Sequence, residues 1–321
     1  MYKIAIVTTY HGCFPNTINF WIKSVELNPT IDFLLFTDLP VNNPPRNLKI
    51  IPKSFEEIVK IAQSNFDFKI SCSRPYKYPD YRPAFGEIFA DYLKDYDFWG
   101  YSEHDMLYGD LRAFFTDQLL NQFDRFLGNG HLSIYRNRYD INMAYKECPH
   151  PNYKMVYTND RNFYFEEYFG TSYYWDKKKH NRFFQKPEAF DDVDWRYGNF
   201  KRACNLDKGK GWKNLIYIFE KGKIFRIYEN EGKILREETL YAHFQKRSLK
   251  IETEVKDQFM IIPNSIIEYD DDINLIKLRH LAKGSFFYKR GLDIRIKRIK
   301  DKWFRFTHPN VVDIMRFPPK Y

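Results

Sequence analysis

The pattern of apolar and polar positions divides the chain into two textures, and the first is that of a parallel α/β unit. Residues 3–9 hold the continuous apolar run Ile4-Ala5-Ile6-Val7, the pattern of a strand buried on both faces. A turn at His11-Gly12-Cys13-Phe14-Pro15-Asn16 leads into helical spacing through Phe20, Val25 and Leu27. Residues 32–38 (Asp-Phe-Leu-Leu-Phe-Thr-Asp) and 48–52 read as two further buried strands. Ser54 followed by Glu56-Glu57 is an N-cap with an acidic first turn, predicting a helix to about Gln63. Pro83, well placed in a first turn, opens a predicted helix through Phe85, Ile88, Phe89, Tyr92 and Leu93. The chain returns as a buried strand over 97–101, then predicts an amphipathic helix over 110–126 and a strand over 131–135. Strand–helix–strand alternation of this kind predicts a mostly parallel sheet flanked by helices, with right-handed crossovers.

From about residue 210 the texture changes. Residues 214–228 and 233–244 are interrupted by Lys221-Gly222-Lys223 and Asn230-Glu231-Gly232, which predicts antiparallel hairpins. The domain organisation read from this is an α/β unit over 1–250, with its parallel half over about 1–135 and a part with the hairpins over about 136–250, and a C-terminal extension over 251–321.

Composition sharpens the picture in two places. The chain has 44% hydrophobic and 19% aromatic residues, enough for a large core and unlike a disordered segment. The net charge of +9 would suit a nucleic-acid binder, but thirteen Lys/Arg against three Asp/Glu lie from Lys277 onward, a local net of +10, so the body is near neutral. No nucleic-acid motif accompanies that charge, and no nucleic-acid partner is expected. Cys13, Cys72, Cys148 and Cys204 are far apart and show no metal spacing, which suits free thiols in a reducing compartment. The opening residues are too short and strand-like for a signal peptide, and no run approaches the roughly 20 apolar residues that cross a bilayer. A cytoplasmic location is the expectation, with peripheral attachment to the inner face of a membrane as an option.

The chemistry is expected where ligands bind in open α/β sheets, at the carboxyl ends of the strands. Glu103-His104-Asp105 follows the strand over 97–101 there, and two carboxylates beside a buried strand call for a neutralising partner. A divalent cation such as Mg²⁺ or Mn²⁺ takes such oxygen ligands.

The segment Trp99-Gly100-Tyr101-Ser102-Glu103-His104-Asp105-Met106-Leu107-Tyr108-Gly109-Asp110-Leu111 resembles the metal-binding segment of GT-A-fold glycosyltransferases. It is most similar to an uncharacterised family from bacterial capsule and exopolysaccharide clusters, which usually carries Asp-X-Asp where this chain has Glu103-His104-Asp105. The resemblance also takes in the opening strand and turn, the Arg82-Pro83 step and Tyr241-Ala242-His243-Phe244-Gln245-Lys246-Arg247, covering roughly residues 1–250. It implies a GT-A-like (Rossmann-like) fold and a hexosyltransferase-type glycosyltransferase in surface polysaccharide synthesis, with a nucleoside-diphosphate sugar as donor and Mn²⁺ or Mg²⁺ as cofactor. It also implies Glu103, Asp105 and His243 as metal ligands, with Lys246 and Arg247 on the diphosphate. Sheet geometry combined with the resemblance places Thr8, Thr9, Tyr10 and Asp38 against the nucleoside, and Arg82 against uracil, ribose or phosphate. Metal and cations at a departing diphosphate answer the charge that develops there. An inverting transfer needs a carboxylate base, for which Glu166 is expected first and Asp192 second.

Leu292, Ile296, Ile299, Trp303 and Phe306 form one apolar helical stripe, with Arg295, Lys297, Arg298, Lys300, Lys302 and Arg305 on other faces. A basic amphipathic helix over 288–306 would lie on an anionic membrane surface, beside a lipid-linked or glycan acceptor, or pack its stripe on the catalytic unit. Two other functions fit the same residues. A nucleotidyltransferase shares the sheet and carboxylate–metal logic, though His11-Gly12-Cys13-Phe14 is a poor phosphate loop. A non-catalytic membrane- or nucleic-acid-binding protein would depend on the tail alone.

Overall fold

The structure, a computed structural model, describes residues 1–167, 170–195, 197–203, 210–245 and 247–285, with Ile296, Ile299, Lys300 and Trp303 beyond. Strands β1 (Ile4–Thr9), β2 (Ile31–Thr37), β3 (Leu48–Pro52) and β4 (Phe98–Ser102) lie parallel in the order β3-β2-β1-β4. The apolar runs of β1, β2 and β4 are buried on both faces, whereas β3, expected to be buried, is an edge strand in which only Leu48 is. Ala5, Val7, Leu34, Phe36, Trp99 and Tyr101 point to one layer, while Ile4, Ile6, Phe33, Leu35 and Phe98 point to the other. Helix α1 (Ile18–Glu26) buries Phe20, Trp21 and Val25, and α2 (Phe55–Gln63) begins with a full capping box between Ser54 and Glu57.

The sheet is mixed rather than parallel beyond β4. After the short β5 (Met106–Tyr108) come β6 (Arg125–Phe126), β7 (Leu132–Arg136) and β8 (Phe183–Phe184). β7 runs antiparallel to both β4 and β6, and β8 closes the seven-stranded order at β6. Between β4 and β7 the chain passes through β5, two short helices and β6, and β7 then returns antiparallel between β4 and β6.

Two predicted helices are corrected. Over 82–93 the chain forms a 3₁₀ segment, Pro75–Ala84, and then two single-turn helices, Phe85–Ile88 and Ala90–Leu93. Pro79 and Pro83 stand inside the 3₁₀ segment, where each removes an amide donor and disfavours α geometry at the residue before it. Over 110–126 two caps restart the chain. Asp110 accepts from the Ala113 amide and Thr116 from the Leu119 amide, giving Leu111–Phe114 and Asp117–Gln122, and residues 125–126 are strand.

The second half builds a six-stranded sheet in the order β12-β11-β10-β15-β16-β14. Before it the chain passes through β9 (Asp191–Asp192). The sheet comprises β10 (Lys213–Glu220), β11 (Lys223–Asn230), β12 (Lys233–Thr239), β14 (Lys250–Ile251), β15 (Gln258–Ile262) and β16 (Ser265–Glu268), and β13 (Tyr241–His243) leaves it. Both tight turns need positive φ, which Lys221-Gly222 and Glu231-Gly232 adopt. β15 pairs with β10, so the boundary expected at residue 250 falls inside one sheet. One face packs Phe20, Leu107 and Tyr217 against the first half. The other receives Leu278 of helix Leu275–Leu281 over Ile216, Ile218 and Met260. Among the described residues no helix is long and apolar enough to cross a membrane.

Candidate metal centre

β13 does not continue the hairpin expected through residue 244. It forms a separate three-stranded sheet in the order β5-β13-β9, antiparallel to β5 and parallel to β9. The register sets His243 opposite Met106 on one side and Asp192 on the other. The Phe244 amide donates to the Asp105 carbonyl at 2.8 Å, and the Val193 amide to the His243 carbonyl at 2.8 Å. Three remote stretches of chain are thereby fixed side by side through their backbones.

Glu103, His104 and Asp105 form the bend between β4 and β5. Side chains alternate along an extended bend, and here the middle one goes inward. The His104 ring lies 4.9 Å from the rings of both Tyr10 and Trp21, and burial pushes its pKa down to about 4. A neutral imidazole plugs the core while the carboxylates on either side face His243.

His243 Nε2 lies 3.0 Å from Glu103 Oε2 and 3.2 Å from Asp105 Oδ1, yet it makes no directed hydrogen bond. Two carboxylate oxygens and a ring nitrogen converging on one space form a donor set for a divalent cation. The Asp105 side chain is 37% exposed against 6% for His243, so the open side of the cluster is the aspartate's. On the far side of the ring, His243 Nδ1 is 2.8 Å from Asp192 Oδ1. That oxygen also accepts from Gln245 Nε2 at 2.7 Å, and Asp192 Oδ2 faces His131 Nε2 at 3.6 Å. His131, Asp192 and His243 are a second group with ligand atoms close enough for a metal.

Charge around the cluster is uneven. Burial opposes a charged His243, but Asp105, Asp192 and Glu103 outweigh it and raise its pKa well above the ordinary imidazole value. Burial likewise opposes ionised Asp192, and its two histidine neighbours hold it far below the usual carboxylate range. Arg82 Nη1 donates to Glu103 Oε1 at 2.8 Å and to the Gly130 carbonyl at 2.9 Å. Burial and then Arg82 act in opposition on Glu103, and the arginine, helped by His243, wins and depresses it.

The other residues expected at the site fall into three groups. Thr8 and Thr9 end β1 and Tyr10 follows it; β1 pairs with β4, so they lie on the edge that carries the cluster. Thr8 Oγ1 is buried without a hydrogen-bond partner, and Tyr10 stacks on Phe14 at 5.2 Å. Asp38 is exposed just past the end of β2. Glu166 sits deep behind Arg82, 3.7 Å from its guanidinium, and burial pushes its pKa well above the usual range in spite of that arginine. Asp192 is committed to His243 and Gln245. Arg247 has Nη1 on the Gly198 and Pro263 carbonyls and Nη2 on the Tyr197 and Asp194 carbonyls, so its donors serve the fold rather than a diphosphate. Lys246 lies outside the described residues.

His131 and Gln245 escaped the sequence reading, and so did the weight of Glu167. His131, just before β7, carried no local signal; that for Gln245 was its spacing of two from His243. Glu167 is half-buried beside Gly130, and burial followed by the negative charge of Glu103 raises its pKa to about 7.

Fold and site define a mixed α/β protein with a carboxylate–histidine cluster at the carboxyl end of its main sheet. The chain belongs to a family of unknown function, DUF6625, which it matches over residues 6–270. No protein of curated function matches the sequence.

Proposed function

We propose that this protein is a metal-dependent glycosyltransferase that moves a sugar from a nucleoside-diphosphate sugar to a glycan or lipid-linked hydroxyl. The observation that carries this reading is the convergence of Glu103, Asp105 and His243, with a buried imidazole nitrogen that has no hydrogen-bond partner and faces two carboxylates. The resemblance of Trp99–Leu111 to GT-A metal segments supports it independently. The residues present fit Mn²⁺ or Mg²⁺, held by Glu103, Asp105 and His243. When bound, such an ion stabilises the charge gathering on a diphosphate leaving group.

The protein's own groups supply the rest. Arg82 compensates Glu103 and orients its carboxylate through one hydrogen bond, while a second, to the Gly130 carbonyl, fixes the guanidinium. The ends of β1 and β2, with Thr9, Tyr10 and Asp38, offer polar and aromatic contacts for a nucleoside at the edge where open sheets bind ligands. For deprotonating an acceptor, Glu166 is too deeply placed and Asp192 is already engaged. Glu167, half-buried and titrating at about 7, is the carboxylate matched to that task. A panel of nucleoside diphosphates and sugar nucleotides, scored by thermal shift with and without Mn²⁺, tests the reading. Metal-dependent stabilisation by at least one of them is expected, and its absence across the panel would sink the proposal.

A further inference from the structure

Asp192, an alternative base on sequence grounds, lies on the side of His243 opposite the carboxylate pair. We propose that Asp192 is a positioning residue that sets which divalent cation the centre takes, by keeping the His243 proton on Nδ1 and baring Nε2 between Glu103 and Asp105. This rests on the metal-centre reading above and concerns which ion that centre prefers.

An ionised carboxylate only accepts hydrogen bonds, so the ring nitrogen 2.8 Å from Asp192 Oδ1 is the one that carries hydrogen. When a cation binds, the ring's single remaining proton is therefore held on Nδ1, and Nε2 presents its lone pair to the ion. The arrangement has little freedom to relax. Gln245 Nε2 donates to the same oxygen at 2.7 Å, and His131 flanks the other oxygen at 3.6 Å. Next door, Asp191 is fully buried in ion pairs with Arg202 and, at 2.9 Å, with Arg226. Strand pairing then carries that rigidity to His243, which faces Asp192 in register. Carboxylate–histidine pairs of this kind raise the basicity of a ligating imidazole and fix its orientation.

Selectivity follows from the ligand chemistry. Mg²⁺ prefers oxygen ligands and retained waters, whereas Mn²⁺ and its first-row neighbours accept imidazole nitrogen readily. With Nε2 bare and aimed, the centre offers one nitrogen and two carboxylate oxygens. With the ring turned or tautomerised, it offers the carboxylates alone, which discriminate poorly between the two ions.

The test uses the full-length protein and measures Mn²⁺ affinity from the electron paramagnetic resonance of free Mn²⁺, and Mg²⁺ affinity by competition. Wild type is expected to favour Mn²⁺, and Asp192→Ala to lose about 10–100-fold in Mn²⁺ affinity with little change for Mg²⁺. Asp192→Asn, whose amide oxygen still accepts from Nδ1, should fall between the two; it also carries the comparison if the alanine variant does not fold. A Mn²⁺/Mg²⁺ preference unchanged in both variants, or equal losses for both ions, would overturn the role. Wild-type protein that binds neither ion would instead remove the metal centre itself, and the selectivity role with it.

Discussion

At the scale of single residues, the proposed centre would set protons and cations in contest for the same atoms. Asp105 is the most open ligand, and Asp105→Ala should abolish Mn²⁺-dependent stabilisation by nucleoside diphosphates while leaving metal-free melting within a few degrees, as surface changes do. The pH dependence has a definite sign. The carboxylates raise the pKa of His243 in the metal-free protein, so a cation must displace a proton from Nε2. Mn²⁺ affinity should therefore rise with pH until that group is deprotonated, with proton release detectable by calorimetry in buffers of different ionisation enthalpy. A flat profile from pH 6 to 8 would contradict a histidine ligand. Glu103-His104-Asp105 was legible from sequence because a buried strand leads straight into it. His131 was not, because a histidine at a strand start carries no local mark of a partner that strand pairing brings from elsewhere.

At the scale of elements, the strands were the most legible part, since runs such as Ile4–Val7 and Phe33–Phe36 leave no polar face to misplace. What failed were helices whose apolar spacing was right but whose continuity was broken by prolines or by competing caps at Asp110 and Thr116. The direction of β7 was hidden too, because buried strands look alike in either direction. One device in this layer is the buried Lys77–Asp80 pair, 2.8 Å apart and almost fully enclosed. Lys77 also donates to the Val156 and Arg161 carbonyls, and Asp80 accepts from the Phe163 and Phe165 amides. Together they clamp the segment bearing Glu166 and Glu167 onto the one bearing Arg82. Asp80→Ala leaves a buried lysine unpaired, and urea unfolding should show a loss of about 3–5 kcal/mol. A second device docks helix Leu275–Leu281, where Arg279 grips Glu229 through two bonds of 2.8 and 2.6 Å and holds its carboxyl down at about 2. Because that pKa is depressed, the contribution is complete above the ordinary value of 4.5 and is lost as pH falls toward 2. The acid limb of the melting profile should be shallower in Glu229→Gln than in wild type.

At the scale of the whole molecule, the two sheets share a core through α1, and charge is segregated toward the C-terminus. Of the basic helix expected over 288–306, only Ile296, Ile299, Lys300 and Trp303 lie within the described residues; all four are helical and exposed. If the stripe meets an anionic surface, deleting residues 286–321 should release the protein from phosphatidylserine vesicles in a flotation assay. Mn²⁺ stabilisation in the remaining body should persist, and loss of that stabilisation would show that the tail belongs to the folded unit. Mn²⁺ at about 100 times its dissociation constant should stabilise the full chain by about 2.7 kcal/mol, reversed by chelator.

The small sheet joining β5, β13 and β9 also dates the centre within the life of the molecule. A ribosome releases Glu103 and Asp105 long before His243, and closing a loop on the order of a hundred residues carries an entropic penalty of about 4 kcal/mol. A nascent or prematurely ended chain thus holds loose carboxylates but no complete pocket. On the proposed reading, metal loading would mark a chain that has grown past β13, and a fragment ending before residue 241 would not acquire it.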